Sequence, residues 1–156
     1  MKTLVIGYGN PGRMDDGLGP ALAEKVESWN KPSVVTLVDY QLNIEYAAEV
    51  AEADLVIFID ASTRQTEPFR FYRLEPANRN SFTTHAMVPE TVLETSRKVY
   101  GKAPPAFALA VRGNRFELGE GLSSGAKQNM EKAERFLSDL LQPGDLTTRC
   151  LAAAGC

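Results

Sequence analysis

The stretch Ile6–Gly19, "IGYGNPGRMDDGLG", decides how the rest of the chain is read. It is preceded by "KTLV", so a short apolar strand runs straight into glycines. Continuous apolar residues mark a strand buried on both faces, the habit of parallel sheets. Gly7, Gly9 and Gly12 satisfy the spacing of a dinucleotide-binding loop. Two details argue against a phosphate. Pro11 removes one N–H from the cradle, and Asp15 and Asp16 stand where the next helix begins. A helix N-terminus attracts anions, and two carboxylates already answer that field. A pyrophosphate would be repelled there and a cation welcomed.

Working outward, "GLGPALAEKVESWN" has helical spacing, with Pro20 in its first turn. "SVVTLVDY" is a second strand ending at Asp39, and "NIEYAAEVAEA" a second helix with Asn43 as its cap. "DLVIFIDAS" is a third, strongly apolar strand ending at Asp60. This β-α-β-α-β run predicts a parallel sheet with right-handed crossovers and strand order 2-1-3. "EPFRFYRLEP" alternates and reads as an antiparallel edge strand. Phe69, Phe71 and Tyr72 are read as packing residues. "VPETVLETSRKVYG" is a helix stopped by Gly101, "PAFALAVRG" a strand, and "SSGAKQNMEKAERFLSDLLQPG" a long closing helix. The expected fold is a three-layer α/β/α single domain over residues 1–144, around a mostly parallel twisted sheet. Residues 145–156 are expected to be a flexible tail.

With 17 basic and 20 acidic side chains among 156 residues, the formal charge of −3 favours neither nucleic acid nor an anionic membrane. No apolar run reaches membrane-spanning length, and the N-terminus reads as a strand, not a secretory signal. Cys150 and Cys156 lie together near the C-terminus, so no disulfide framework is expected, and the expected compartment is the cytoplasm.

Ligands of open parallel sheets bind beyond the C-terminal strand ends. Asp16, Asp39 and Asp60 all fall there. Asp39 reads equally as a cleft residue or a strand-end cap. His85, the only histidine, sits in "SFTTHAM", in a loop able to reach the same rim. Imidazole with two carboxylates is reasonable ligation for Ni, Fe, Zn or Co, with positions left open. Asp15 rivals Asp16, since by propensity both qualify as helix-start acids. Gly7 and Gly9 permit a tight turn, and Asn10 can hold that turn through side-chain bonds to backbone.

"GYGNPGRMDDGLG", then "FIDAS", then "TTHAM" resembles the NiFe-hydrogenase maturation endopeptidases, and the resemblance runs from Met1 to about Leu141. It implies one α/β/α domain that clips a C-terminal extension from the hydrogenase large-subunit precursor once nickel is inserted. It implies that the acid in the glycine loop, the aspartate after the third strand and a histidine form the metal-contacting and catalytic trio. Those positions are Asp16, Asp60 and His85, which places Asp16 ahead of Asp15. The nickel is implied to arrive with the substrate. One departure stands out: Tyr40 and Gln41 replace small residues beside the expected cleft. A monomer is the simplest expectation. The competing readings are a nickel-sensing or metal-delivery module that cuts nothing, and a nucleotide-binding domain using Gly7, Gly9, Gly12 and Asp39.

Overall fold

The computed structural model describes residues 1–78 and 87–156. Strand β1 (Thr3–Tyr8) leads through a 3-10 turn at Met14–Gly17 into helix α1 (Leu18–Ser28). Then come β2 (Val34–Asp39), α2 (Tyr46–Glu52) and β3 (Leu55–Ser62). Strand β4 (Phe69–Leu74), helix α3 (Pro89–Tyr100) and β5 (Ala106–Arg112) follow. Helices α4 (Ser124–Leu140) and α5 (Leu146–Ala153) close the chain.

The strands form one sheet in the order β2-β1-β3-β5-β4. All pairs are parallel except β4 with β5, which is antiparallel. The expected α/β/α layering, 2-1-3 order and antiparallel edge are all present. The apolar runs explain the layers. Val5, Ile57, Ile59, Phe107 and Leu109 face one side, under Leu22 and Val26 of α1 and Leu137 of α4. Leu4, Ile6, Val56 and Phe58 face the other, under Val50 of α2 and Val92 and Leu93 of α3. Each central strand thus buries both sets of its alternating side chains, which is why it reads as unbroken apolar sequence. Burying one such Leu or Phe contributes about 1.5–3 kcal/mol relative to exposure.

Helix ends follow their local chemistry. Gly101 closes α3 at φ 75°, a conformation that favours glycine. Ser123 caps α4 by accepting the Ala126 N–H. Asn43 Oδ1 accepts the Glu45 N–H, so a turn precedes α2 and the regular helix begins at Tyr46.

The expectation of a flexible tail from 145 is corrected. Asp145 caps α5, its carboxylate accepting the Thr148 N–H at 3.1 Å and the Thr148 hydroxyl at 2.7 Å. Arg149 reaches back to the carbonyls of Leu140, Gln142 and Pro143, satisfying acceptors that the end of α4 leaves open. Cys150 is fully buried in the α1/α4 core, with Leu146 beside it. A segment that completes the core is held like any other helix.

Candidate active site

The loop between β1 and α1 is bound by its own oxygens. Gly9 N–H donates to the Asp39 carbonyl at 3.0 Å. Asn10 N–H donates to Asp16 Oδ2 at 2.7 Å, and Gly12 N–H to Asn10 Oδ1 at 2.9 Å. The N–H groups of Arg13, Met14 and Asp15 go to the carbonyls of Asn10, Gly119 and Arg115. The donors that would cradle a pyrophosphate are therefore already taken, one of them by a carboxylate. This arrangement speaks against the nucleotide reading on hydrogen-bond grounds alone.

Two glycines make the geometry possible. A Cβ on Gly9, whose φ is 146°, would lie 1.9 Å from the Asp16 carbonyl oxygen. A Cβ on Gly7 would lie 2.3 Å from the Gly19 carbonyl oxygen, where α1 crosses β1.

The neighbouring aspartates do different things. Asp15 is fully buried. Its Oδ2 accepts N–H from Asn114 at 2.8 Å and Arg115 at 2.9 Å, and the Ser123 hydroxyl at 2.7 Å; Oδ1 accepts the Ser123 N–H at 2.7 Å. Burial pushes its carboxyl up, but these donors outweigh that and hold it below the ordinary carboxylate range. Asp15 thus staples the glycine loop to the segment before α4. Asp16 is half-buried and, among the described residues, meets one donor, Asn10 N–H.

Asp60 sits near the end of β3, and the turn carrying Asp16 packs against that strand. Its Oδ1 accepts the Ala61 N–H at 2.8 Å. Burial raises its carboxyl to about 7, and the charge of Asp16 adds to the rise; the Ala61 N–H bond opposes it. The structure therefore brings Asp16 and Asp60 into mutual electrostatic range. Asp60 borders a cavity of about 160 Å³ shared with Tyr8, Ser62, Tyr72 and Glu90.

Asp39 is spent on structure. Oδ1 accepts the Tyr40 N–H at 2.7 Å and Oδ2 the Tyr46 hydroxyl at 2.6 Å. Tyr40 and Gln41 are exposed on the loop that follows. His85 lies outside the described residues.

Chemically, the pair offers one carboxyl poised near neutrality beside a second acid. That is a proton acceptor with a neighbour that keeps it basic. A cation shared by the two carboxylates would relieve their repulsion. Among the described residues, no group of three or more His, Cys, Asp or Glu forms a metal-binding cluster. The role of Asp15 escaped the sequence reading. For Asp15 no local signal exists, because its partners lie about a hundred positions away.

No protein-family model and no curated protein matches the chain. Its fold is shared with solved structures. The NiFe hydrogenase maturation protease HycI from Thermococcus kodakarensis superposes with a TM-score of 0.72 at 22% identity, covering 91% of this chain and 93% of that one. The hydrogenase maturating endopeptidase HybD from E. coli gives 0.71 at 23% identity, over 90% and 92%. The hydrogenase 2 maturation peptidase from Thaumarchaeota archaeon SCGC_AB-539-E09 gives 0.66 at 18%, over 94% and 99%.

Proposed function

We propose that this chain is an endopeptidase that removes a C-terminal extension from the nickel-loaded large-subunit precursor of a NiFe hydrogenase, acting as a monomer in the cytoplasm. One observation carries the reading: the turn that bears Asp16 packs against the strand that bears Asp60, at the C-terminal rim of a sheet whose fold is that of hydrogenase maturation proteases. Among the described residues no helix is long and apolar enough to cross a membrane.

In this reading nickel is cargo of the substrate. Asp16, Asp60 and His85 meet the nickel that the precursor carries, and so report that its centre is complete. Metal contact fixes the scissile amide over the rim. Asp60, pushed up to about 7 and ionised in a substantial fraction at neutral pH, takes as its carboxylate a proton from the attacking water as the water oxygen bonds to the amide carbon. That proton passes to the departing nitrogen as the C–N bond breaks, leaving a carboxylate and a free amine. Gly7, Gly9 and Asn10 hold the loop that presents Asp16, and Asp39 and Gln41 flank the approach.

The test is the intact mass of the large subunit before and after incubation with the chain, in nickel-loaded and nickel-free form. The proposal expects loss of a C-terminal peptide from the loaded precursor alone. No loss from either, with binding retained, would make the chain a metal-binding module. Equal loss from both would remove nickel from the recognition step.

A further inference from the structure

The sheet has two edges, and the chain treats them differently. On β4 the exposed side chains of Arg70 and Arg73 carry charge, paired with Glu67 and Glu75. Charged side chains along an edge discourage another strand from adding to it. On β2 the run Val34–Val38, "VVTLV", holds no charge, no proline and no glycine. All but Leu37 are β-branched, the types that fit a sheet best. Among the described residues β2 pairs with β1 alone.

Two bonds fix which way the peptide groups of β2 turn. Thr3 N–H donates to the Ser33 carbonyl at 2.9 Å, and Gly9 N–H to the Asp39 carbonyl at 3.0 Å. With Thr36 level with Val5 between them, Val35, Leu37 and Asp39 turn their N–H and C=O groups toward β1. Thr36 and Val38 turn theirs outward. Val34 turns its carbonyl outward too, while its N–H goes to the Lys31 carbonyl at 3.1 Å. An extended segment laid alongside meets donors and acceptors two residues apart, the repeat of its own backbone. The edge also has room for side chains. A cavity of about 330 Å³ opens beside Val34 and Thr36, lined by Val26, Glu27, Asn30 and Lys31 at the end of α1. Val26 and Val34 give it an apolar wall, and Glu27 and Lys31 carry opposite charges. It suits a small or β-branched apolar side chain from an added strand.

Position supplies the occupant. β2 runs to the C-terminal rim, where the Asp39 carbonyl holds Gly9 of the loop that carries Asp16. A precursor held at the rim by its nickel and its scissile bond continues, beyond the cut, into the extension. Leading down the β2 edge, that extension runs antiparallel to β2, the more stable of the two pairings. The open stretch spans about 17 Å at about 3.3 Å per residue, so about five or six residues cover it.

We propose that the outer edge of β2 is the docking strip for the C-terminal extension of the precursor, which adds as an antiparallel strand through the N–H and C=O groups of Thr36 and Val38 and sets an apolar side chain in the groove beside α1. The inference rests on the function proposed above and names the surface that holds the part to be removed.

The experiment uses nickel-loaded precursor with wild type, Thr36→Pro, Thr36→Val and Val38→Lys. Proline at 36 deletes an outward N–H and no bond of the β1 ladder, a place where edge strands accept it. Thr36→Val keeps that N–H, and Val38→Lys charges the edge without altering the backbone. Thermal midpoints check each fold. Thr36→Pro and Val38→Lys are expected to raise KM about 5–30-fold, the loss of one or two hydrogen bonds, with kcat unchanged. Thr36→Val is expected to hold wild-type values. Pulsed amide exchange, resolved to single residues, gives the direct reading. The N–H groups of Thr36 and Val38 are expected to exchange fast in the chain alone and slowly in the complex, and those of Val35 and Leu37 slowly in both. Wild-type KM in Thr36→Pro and Val38→Lys, or fast exchange at Thr36 and Val38 in the complex, would overturn the inference and leave the proposed function standing. If Thr36→Pro fails to fold, Val38→Lys and the exchange pattern decide. A wild-type dimer in light scattering that Val38→Lys turns into a monomer would give the edge to a second copy and overturn the inference too. Slow exchange at both amides with the precursor left uncut would uphold the docking strip and sink the proposed function.

Discussion

Replacing Asp15 by asparagine separates the two acids of the glycine loop. The buried carboxylate of Asp15 receives four donors at 2.7–2.9 Å. Asparagine has the same shape but one acceptor oxygen and one donor nitrogen. If its oxygen takes the crowded Oδ2 position, its amide nitrogen confronts the Ser123 N–H. One buried donor is then orphaned, at about 1–3 kcal/mol. The other three bonds lose their charge, and charge-assisted bonds are about twice as strong as neutral ones. The sum is about 2–5 kcal/mol. For a chain of this length each kcal/mol lowers the midpoint by about 2–4 °C, so a fall of about 4–20 °C is expected. Asp16→Asn keeps an oxygen for the Asn10 N–H, and is expected to melt within about 2 °C of wild type. The assay is thermal unfolding followed by circular dichroism, with urea midpoints as a second reading. Acid unfolding adds a check. Asp15 titrates below its unfolded value, so its stabilisation is present above about pH 4 and is lost as pH falls through the depressed folded value. Asp15→Asn should lack that acid limb. An Asp15→Asn chain with a wild-type midpoint, or an Asp16→Asn chain that falls as far, would refute the division of roles.

Three further outcomes follow from the same structure. Asp60 titrates near 7 when folded, against 3.8 ordinarily, so the folded state holds its proton longer and stability falls as pH rises from about 4 to about 7. Asp60→Asn escapes this loss and should exceed wild type by up to about 4 kcal/mol at pH 8, a gain shrinking toward zero near pH 4 in urea titrations; a pH-independent difference would contradict the burial argument. Gly9→Ala should lower stability and cleavage together, because its methyl group collides with the Asp16 carbonyl oxygen at a φ that alanine rarely adopts; a wild-type midpoint would count against so tight a turn. Cys156, exposed, should react with a thiol reagent in the native protein, while Cys150, buried with its thiol pushed up to about 12, should react only on unfolding. Two equivalents of rapid labelling would show that α5 is not held against the core.

What the chain reveals on reading depends on how far each interaction reaches. Strands β1 and β3 are unbroken apolar runs because both faces are covered, so their place in a parallel sheet is written locally. β4 alternates Phe69 and Phe71 against Arg70 and Tyr72, the mark of an edge with one face on the core. Helix α5 is short, with few large apolar residues, and is too small to form alone. Its anchors are Arg149 on the end of α4 and Cys150 in the core, neither visible in composition. The capping pair Asp145 and Thr148 was the local clue. The order of Asp15 and Asp16 is likewise a long-range matter. Two equal side chains become a buried staple and a half-buried rim acid only when Asn114, Arg115 and Ser123 arrive beside one of them.

The most direct measurement is the cleavage rate of nickel-loaded large-subunit precursor by Asp16→Asn, taken by mass spectrometry at a temperature where the variant is demonstrably native. Removing the charge of the group that the proposed function sets at the reacting end should slow cleavage by about 100-fold or more. Cleavage at the wild-type rate by that folded variant would contradict the account at its centre.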